Sequence, residues 1–250
     1  MKPLLSWLVV KPLNKPFSNW LAWAQWLAVI TMTMDHFVKF AIDTDDYLWV
    51  SDTFGRIAFP LFAGMLAWNW AFNTQNKPRY ANRVLWIGLV AQIPYALTIN
   101  SSVLNVCFTL GLALWSLNLM DRASNSSHRT QAALTIAMVV APLVAGRWVE
   151  YGAIGFWYVI ALGLYMRSWN KAFFNPNKIA HYGLLSLILG VLINNSNVAS
   201  TFSMLTTAAL LGIPFYHTAL ARIKPAAMPR RLRQAWYPAH IFAILIYRFF

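Results

Sequence analysis

Nine apolar stretches separated by short polar loops constrain this chain more than any other feature. They run over Trp20–Ile42, Phe54–Phe72, Ala81–Ile99, Val103–Met120, Thr130–Ala145, Gly152–Met166, Ile179–Ile193, Val198–Leu220 and Trp236–Phe250. A helix of about 20 apolar residues crosses about 30 Å of hydrocarbon. With 59% hydrophobic and 11% charged residues in 250, and a mean hydropathy of +0.49, the composition is too apolar for a soluble domain. The expected fold class is all-α, a polytopic membrane bundle of about nine transmembrane helices. The sixth, seventh and ninth stretches are the shortest. Leu4–Val10, between Pro3 and Pro12, is too short to span and has no A-x-A cleavage site after it. It reads as an interfacial helix, giving a cytoplasmic segment 1–18 and a single transmembrane domain 19–250.

The basic residues alternate from loop to loop. Lys2, Lys11 and Lys15 precede the first stretch; Lys77, Arg79 and Arg83 follow the second; Arg122 and Arg129 the fourth; Arg167, Lys171 and Lys178 the sixth; Arg222, Lys224, Arg230, Arg231 and Arg233 the eighth. The intervening loops carry Asp43, Asp45, Asp46 and Asp52, then no charge, then Arg147 beside Glu150, then only Asn194–Asn197. Basic loops on every second turn place the N-terminus in the cytoplasm and the C-terminus in the periplasm of a bacterial inner membrane. The net charge of +13 is thereby an orientation signal, and nucleic acid is not an expected partner. Membrane lipids are. Cys107 is the only cysteine, so no intrachain disulfide forms.

Ionisable side chains inside a bilayer are costly and mark function, which singles out Asp35-His36 at the outer end of the first stretch and Arg56 at the start of the second. With the first stretch centred near Ile30 and the second near Gly64, a 1.5 Å rise puts His36 about 9 Å and Arg56 about 12 Å outward of the midplane. Asn105 falls about 10 Å outward, Gln92 within about 3 Å of the middle, and His240 about 5 Å inward.

These pieces, in this order, resemble the TraX family, named for the conjugative-plasmid protein that acetylates the N-terminus of pilin. The resemblance rests on Met34-Asp35-His36; Gly55-Arg56-x-Ala58-Phe59-Pro60-Leu61-Phe62-Ala63; Arg83-x-Leu85-Trp86-x-Gly88 running into Ala91-Gln92; Asn105-x-x-Phe108; Tyr151-Gly152; and Tyr237-x-x-His240. It implies a multi-pass inner-membrane acyltransferase that takes acetyl-CoA as co-substrate, requires no metal, and acetylates a pilin or other exported acceptor, at nitrogen in preference to oxygen. It is similar also to the wider transmembrane acyltransferases with a histidine near the end of their first span.

Acyl transfer needs a base for the proton of the nucleophile, and neutral imidazole suits that task near pH 7. His36 is the assigned base, with Asp35 and Arg56 in the catalytic group. Asp35 and His36 point about 100° apart on a helix, so Lys39 or Arg56 is the expected partner there. Asn105 and Gln92 are the candidate donors to the substrate and its oxyanion. Arg79, Arg83, Tyr237 and His240 are the expected cofactor-binding residues, with the Arg230–Arg233 cluster as a further source of cations for phosphate. From the cytoplasmic edge the acetyl group has about 24 Å to travel to His36, somewhat more than an extended pantetheine arm.

Plainer readings compete. Arg56 can snorkel to headgroups or pair with Asp52; His128, His181 and His217 read as structural or solvated; Trp20, Trp49, Trp148 and Trp236 as interface anchors; Gly64, Gly88 and Gly111 as helix contacts. Against the enzyme stand a secondary transporter of an anionic or lipid-like solute, O-acetylation of an exported glycan, and a structural pilus subunit. No internal repeat is evident, which disfavours the transporter.

Overall fold

The computed structural model describes residues 11–14, 16–42, 45–99, 102–123, 127–220, 222 and 226–249. Among them there is no strand. The helices are α1 (Trp20–Phe37), α2 (Leu48–Val50), α3 (Arg56–Trp68), α4 (Lys77–Ile99), α5 (Val106–Ala123), α6 (His128–Ala145), α7 (Gly152–Trp169), α8 (Pro176–Leu192), α9 (Asn197–Leu220) and α10 (Arg230–Phe249). All but α2 are long, so the all-α bundle expected from the hydrophobic pattern is present. The Leu4–Val10 interfacial helix lies outside the described residues, and Lys11–Ser18 is not helical where described.

Two helices begin well before their apolar stretches. α4 begins at Lys77 instead of Ala81, and α10 at Arg230 instead of Trp236, which makes the last helix 20 residues long. Arginine and lysine are good helix formers whose stems lie along apolar surface, so a helix continues past the point where hydropathy falls.

α6 with its following turn (His128–Trp148) and α9 (Asn197–Leu220) are long and apolar enough to cross a membrane. The surface as a whole is apolar. Ile136, Val139 and Leu143 of α6 and Leu89, Ile93 and Leu97 of α4 are exposed, whereas Asp35, His36, Asn105, Thr109, Asn118 and His240 are buried. Polar groups inside and apolar side chains outside is the arrangement that hydrocarbon favours.

α7 is the central helix, packed against α3, α5, α6 and α8. Close approach depends on glycine: a Cβ on Gly88 would lie 2.9 Å from that of Cys107, and one on Gly111 2.6 Å from Leu85 Cδ2. Trp49 and Trp148 are exposed in connections, as anchors should be. Trp20 is not one, being only 4% exposed and packed edge-on against Trp68 where α1 meets α3.

The connections sort into two groups by contact. At one end Leu13 exchanges backbone hydrogen bonds with Trp169 and Lys171, Ser18 receives bonds from Trp68 and Asn73, Asp121 pairs with Lys77 and Arg167, and Trp26 bonds to Ala226. At the other, Leu104 pairs with Trp148 and Glu150. The described basic connections thus share one end, and the connections around Leu104 and Glu150 meet at the other.

Candidate active site

His36 is buried near the end of α1, and His240 approaches it from α10. His36 Nδ1 lies 2.8 Å from His240 Nε2, the rings stacked at 12° with centroids 5.0 Å apart. His240 Nδ1 is 2.9 Å from the carbonyl oxygen of Trp236, one turn back on its own helix. A carbonyl only accepts, so His240 Nδ1 carries a proton and, in the neutral ring, Nε2 is an acceptor. His36 Nδ1–H then donates to it. The lone pair of His36 is left on Nε2, facing away from the pair. Trp236 is itself tied to α1 by its indole N–H to Thr33 Oγ1, at 3.0 Å.

This contact corrects the depth assigned to His240. With α10 beginning at Arg230, His240 sits mid-helix and level with His36, closing the separation expected between them.

Asp35 points away from His36, as the 100° rotation requires. Lys39, in a π-helical turn that continues α1, lies 2.8 Å from its Oδ1. Ser51 Oγ, in a second π-helical turn before α3, donates to the same oxygen. π-Turns shift one residue relative to the α ladder, which here turns Lys39 and Ser51 onto one carboxylate. Gly55 is needed there: a Cβ would fall 2.5 Å from Asp35 Oδ1. Arg56 Nη2 meets Asp52 at 3.3 Å and Ser51 at 3.5 Å, while its Nε is buried without a partner. Asp35, Lys39, Ser51, Arg56 and Asp52 form one chain beside the histidine pair.

Asn105 and Gln92 come together but turn their donors inward. Asn105 Nδ2 donates to Gly88 O and to Gln92 Oε1, both at 2.8 Å, and its Oδ1 accepts Cys107 N–H as the cap of α5. Gln92 Nε2 donates to Val103 O at 3.2 Å, leaving one amide hydrogen of the pair uncommitted. In this arrangement the pair clamps α4 to the start of α5.

Glu150 was not singled out from sequence, although it is the sole glutamate of the chain and directly precedes Tyr151-Gly152. Its carboxylate accepts Val106 N–H at 2.9 Å at the start of α5 and a hydrogen bond from Tyr95. Burial raises this carboxyl to about 7, against the pull of Lys39. The turn that delivers it is strained: Tyr151 has φ 62°, rare for a large side chain, and its ring stacks on Phe59 at 3.9 Å.

Arg79 and Arg83 of α4 and Arg230 and Arg231 of α10 line one groove of about 830 Å³ with Trp86, Val90 and Pro238. None of the four pairs with an acid among the described residues. Two stretches some 150 residues apart in the chain meet because α4 and α10 pack together. His181 and His217 bond to backbone carbonyls of their own helices.

A family model described as TraX protein matches residues 21–248. The chain is also 30% identical over 174 residues to the probable fimbrial assembly protein FimC, serogroup H1, of Dichelobacter nodosus, covering 64% of this chain and 68% of that protein. No solved structure matches. The match from the start of α1 to the end of α10 takes in both histidines, the two π-turns around Asp35 and the arginine groove, and the chain belongs to the TraX family.

Proposed function

We propose that this protein is a membrane-embedded acetyltransferase that moves an acetyl group from cytoplasmic acetyl-CoA to an acceptor at the outer side, the N-terminal amine of a pilin being the acceptor that fits best. The reading takes the chain to cross the inner membrane nine times, with the basic connections in the cytoplasm and the C-terminus in the periplasm. One observation carries it. α10 bears Arg230 and Arg231 at the groove and His240 against His36, so a cation cluster suited to phosphates and an imidazole pair suited to proton transfer share a single helix. From Arg230 to His240 is about 15 Å along the axis, shorter than the 24 Å expected from the sequence and within reach of a pantetheine arm. The fimbrial assembly relative supports a pilus-related acceptor.

His36 Nε2 takes the proton of the attacking amine as nitrogen bonds to the thioester carbon. The positive charge then formed on His36 is shared with His240 through the 2.8 Å contact. When the C–S bond breaks, the pair returns the proton to the leaving thiolate. Asp35 does not touch His36 Nε2. With Lys39 and Ser51 it fixes the end of α1 against the start of α3, a positioning role.

The test supplies labelled acetyl-CoA to inside-out membrane vesicles containing a peptide with a free N-terminal amine, the same peptide N-blocked, or a glycan. Label on the free amine alone is expected. Label on the glycan alone would move the activity to O-acetylation, and label on none would favour transport. A cysteine in place of Asp45 should react with an impermeant thiol reagent from outside, and one in place of Arg231 should not; the reverse would invert the orientation.

A further inference from the structure

Among the described residues the Tyr237 hydroxyl is a buried polar atom without a hydrogen-bond partner, carried on a ring that packs against both histidines. The residue is 7% exposed, and its ring meets His240 edge-on at 5.6 Å and His36 at 6.4 Å between centroids. A buried hydroxyl with nothing to bond loses its hydration without compensation, so an orphan at this place calls for a reason. Its direction on α10 supplies one. Each helical residue turns about 100°, so Tyr237 lies between Pro238, which lines the arginine groove, and His240, which is about 160° round from Pro238. Tyr237 thus stands on the arc of α10 between the groove-lining Pro238 and the histidine pair. Both Asn105 amide hydrogens are bonded within the protein and Arg56 Nη2 faces Asp52 and Ser51; Arg56 Nε and one Gln92 amide hydrogen remain open among the described residues, but it is the Tyr237 ring that packs against both histidines.

We propose that Tyr237 is the oxyanion donor for acyl transfer, its O–H bonding to the thioester carbonyl oxygen while His36 Nε2 serves the nucleophile. This rests on the acetyltransferase reading above. As nitrogen bonds to carbon, the C=O π pair moves onto oxygen, where the Tyr237 O–H stabilises it. The amine proton passes to His36. Reformation of C=O then expels the thiolate, which takes the proton back. Tyr237 neither gains nor loses a proton over the cycle. A fixed donor of this kind contributes chiefly when charge develops, so it acts on kcat more than on binding.

Tyr237→Phe retains the ring packed against both histidines and removes only the hydroxyl. Peptide acetylation should fall about 10²–10³-fold in kcat, the typical cost of one oxyanion donor, with KM for acetyl-CoA and its affinity in detergent changed less than about threefold. A fluorinated tyrosine at position 237, nearly isosteric and with a more acidic hydroxyl, should keep kcat within about tenfold of wild type and shows that the fold tolerates the exchange. Full kcat in Tyr237→Phe beside an inactive His36→Ala would overturn the oxyanion role and leave acyl transfer standing. A loss of acetyl-CoA affinity equal to the loss of kcat would also overturn it, making Tyr237 a binding residue. If the wild type transfers no acetyl group, both readings fall together.

Discussion

His36 and His240, 204 residues apart, meet nitrogen to nitrogen at 2.8 Å, and the Trp236 carbonyl behind His240 decides which nitrogen of the pair is free. The relay has the form of a base held by an orienting acceptor, with a second imidazole and a backbone carbonyl in place of a carboxylate. His36→Ala is expected to lower acetyl transfer by 10²–10⁴-fold, the usual cost of a general base. His240→Ala leaves the base present but free to rotate and to present the wrong tautomer, so a loss of about 10–10²-fold is expected, with the activity–pH profile displaced. Steady-state rates and pH profiles of both variants, normalised to protein inserted in the membrane, make the check. Equal activity of His240→Ala and wild type would reduce the contact to packing.

Gly55 and Asp35 are bound together by space. A methyl at position 55 meets the Asp35 carboxylate at 2.5 Å, where Lys39 and Ser51 hold it, and the Asp35 Cβ at 2.8 Å, which cannot swing away. Gly55→Ala should destabilise by about 1–3 kcal/mol, the range for overpacking. In Asp35→Ala the carboxylate is gone and only the Cβ contact remains, although the bonds from Lys39 and Ser51 are lost as well. A double-mutant cycle by thermal unfolding in detergent should therefore give a smaller effect of Gly55→Ala in the Asp35→Ala background. Strict additivity would contradict the contact.

The arginine groove shows how far the sequence reaches. Arg79 and Arg83 are one turn apart on α4, and the suggestion that Arg230 and Arg231 serve the same ligand came from charge alone; the packing of α4 on α10 that joins them is long-range and leaves no local trace. His36 was legible because an ionisable group in an apolar stretch is expensive. His240 was legible as a residue but misplaced in depth, because hydropathy marked the last helix from Trp236 while its arginine-rich first turns extend it from Arg230. Trp20 resembled an anchor until Trp68 covered it. Glu150 passed as a loop charge beside Arg147, since only the left-handed Tyr151 and the cap on Val106 turn it inward.

Glu150 makes stability depend on pH. Its carboxyl is raised from 4.5 to about 7 by burial, so the folded state holds the proton more tightly than the unfolded chain does. The resulting stabilisation is complete below pH 4.5 and is lost as pH rises through about 7. The midpoint of thermal unfolding in detergent should fall between pH 5 and 8, a window chosen from that shift. Glu150→Gln should remove most of that slope while keeping the fold. The same slope in both proteins would assign the dependence to other groups.

The central claim is that the groove between α4 and α10 holds acetyl-CoA while His36 acts elsewhere. Its most direct test is acetyl-CoA affinity of the purified protein in detergent, measured for wild type, Arg79→Glu/Arg83→Glu and His36→Ala. Two charge reversals facing phosphates should weaken binding at least tenfold, since charge-assisted bonds contribute about 1.5–3 kcal/mol each. His36→Ala should bind as wild type does. Unchanged affinity in the double variant, or no measurable binding by the wild type, would contradict the account.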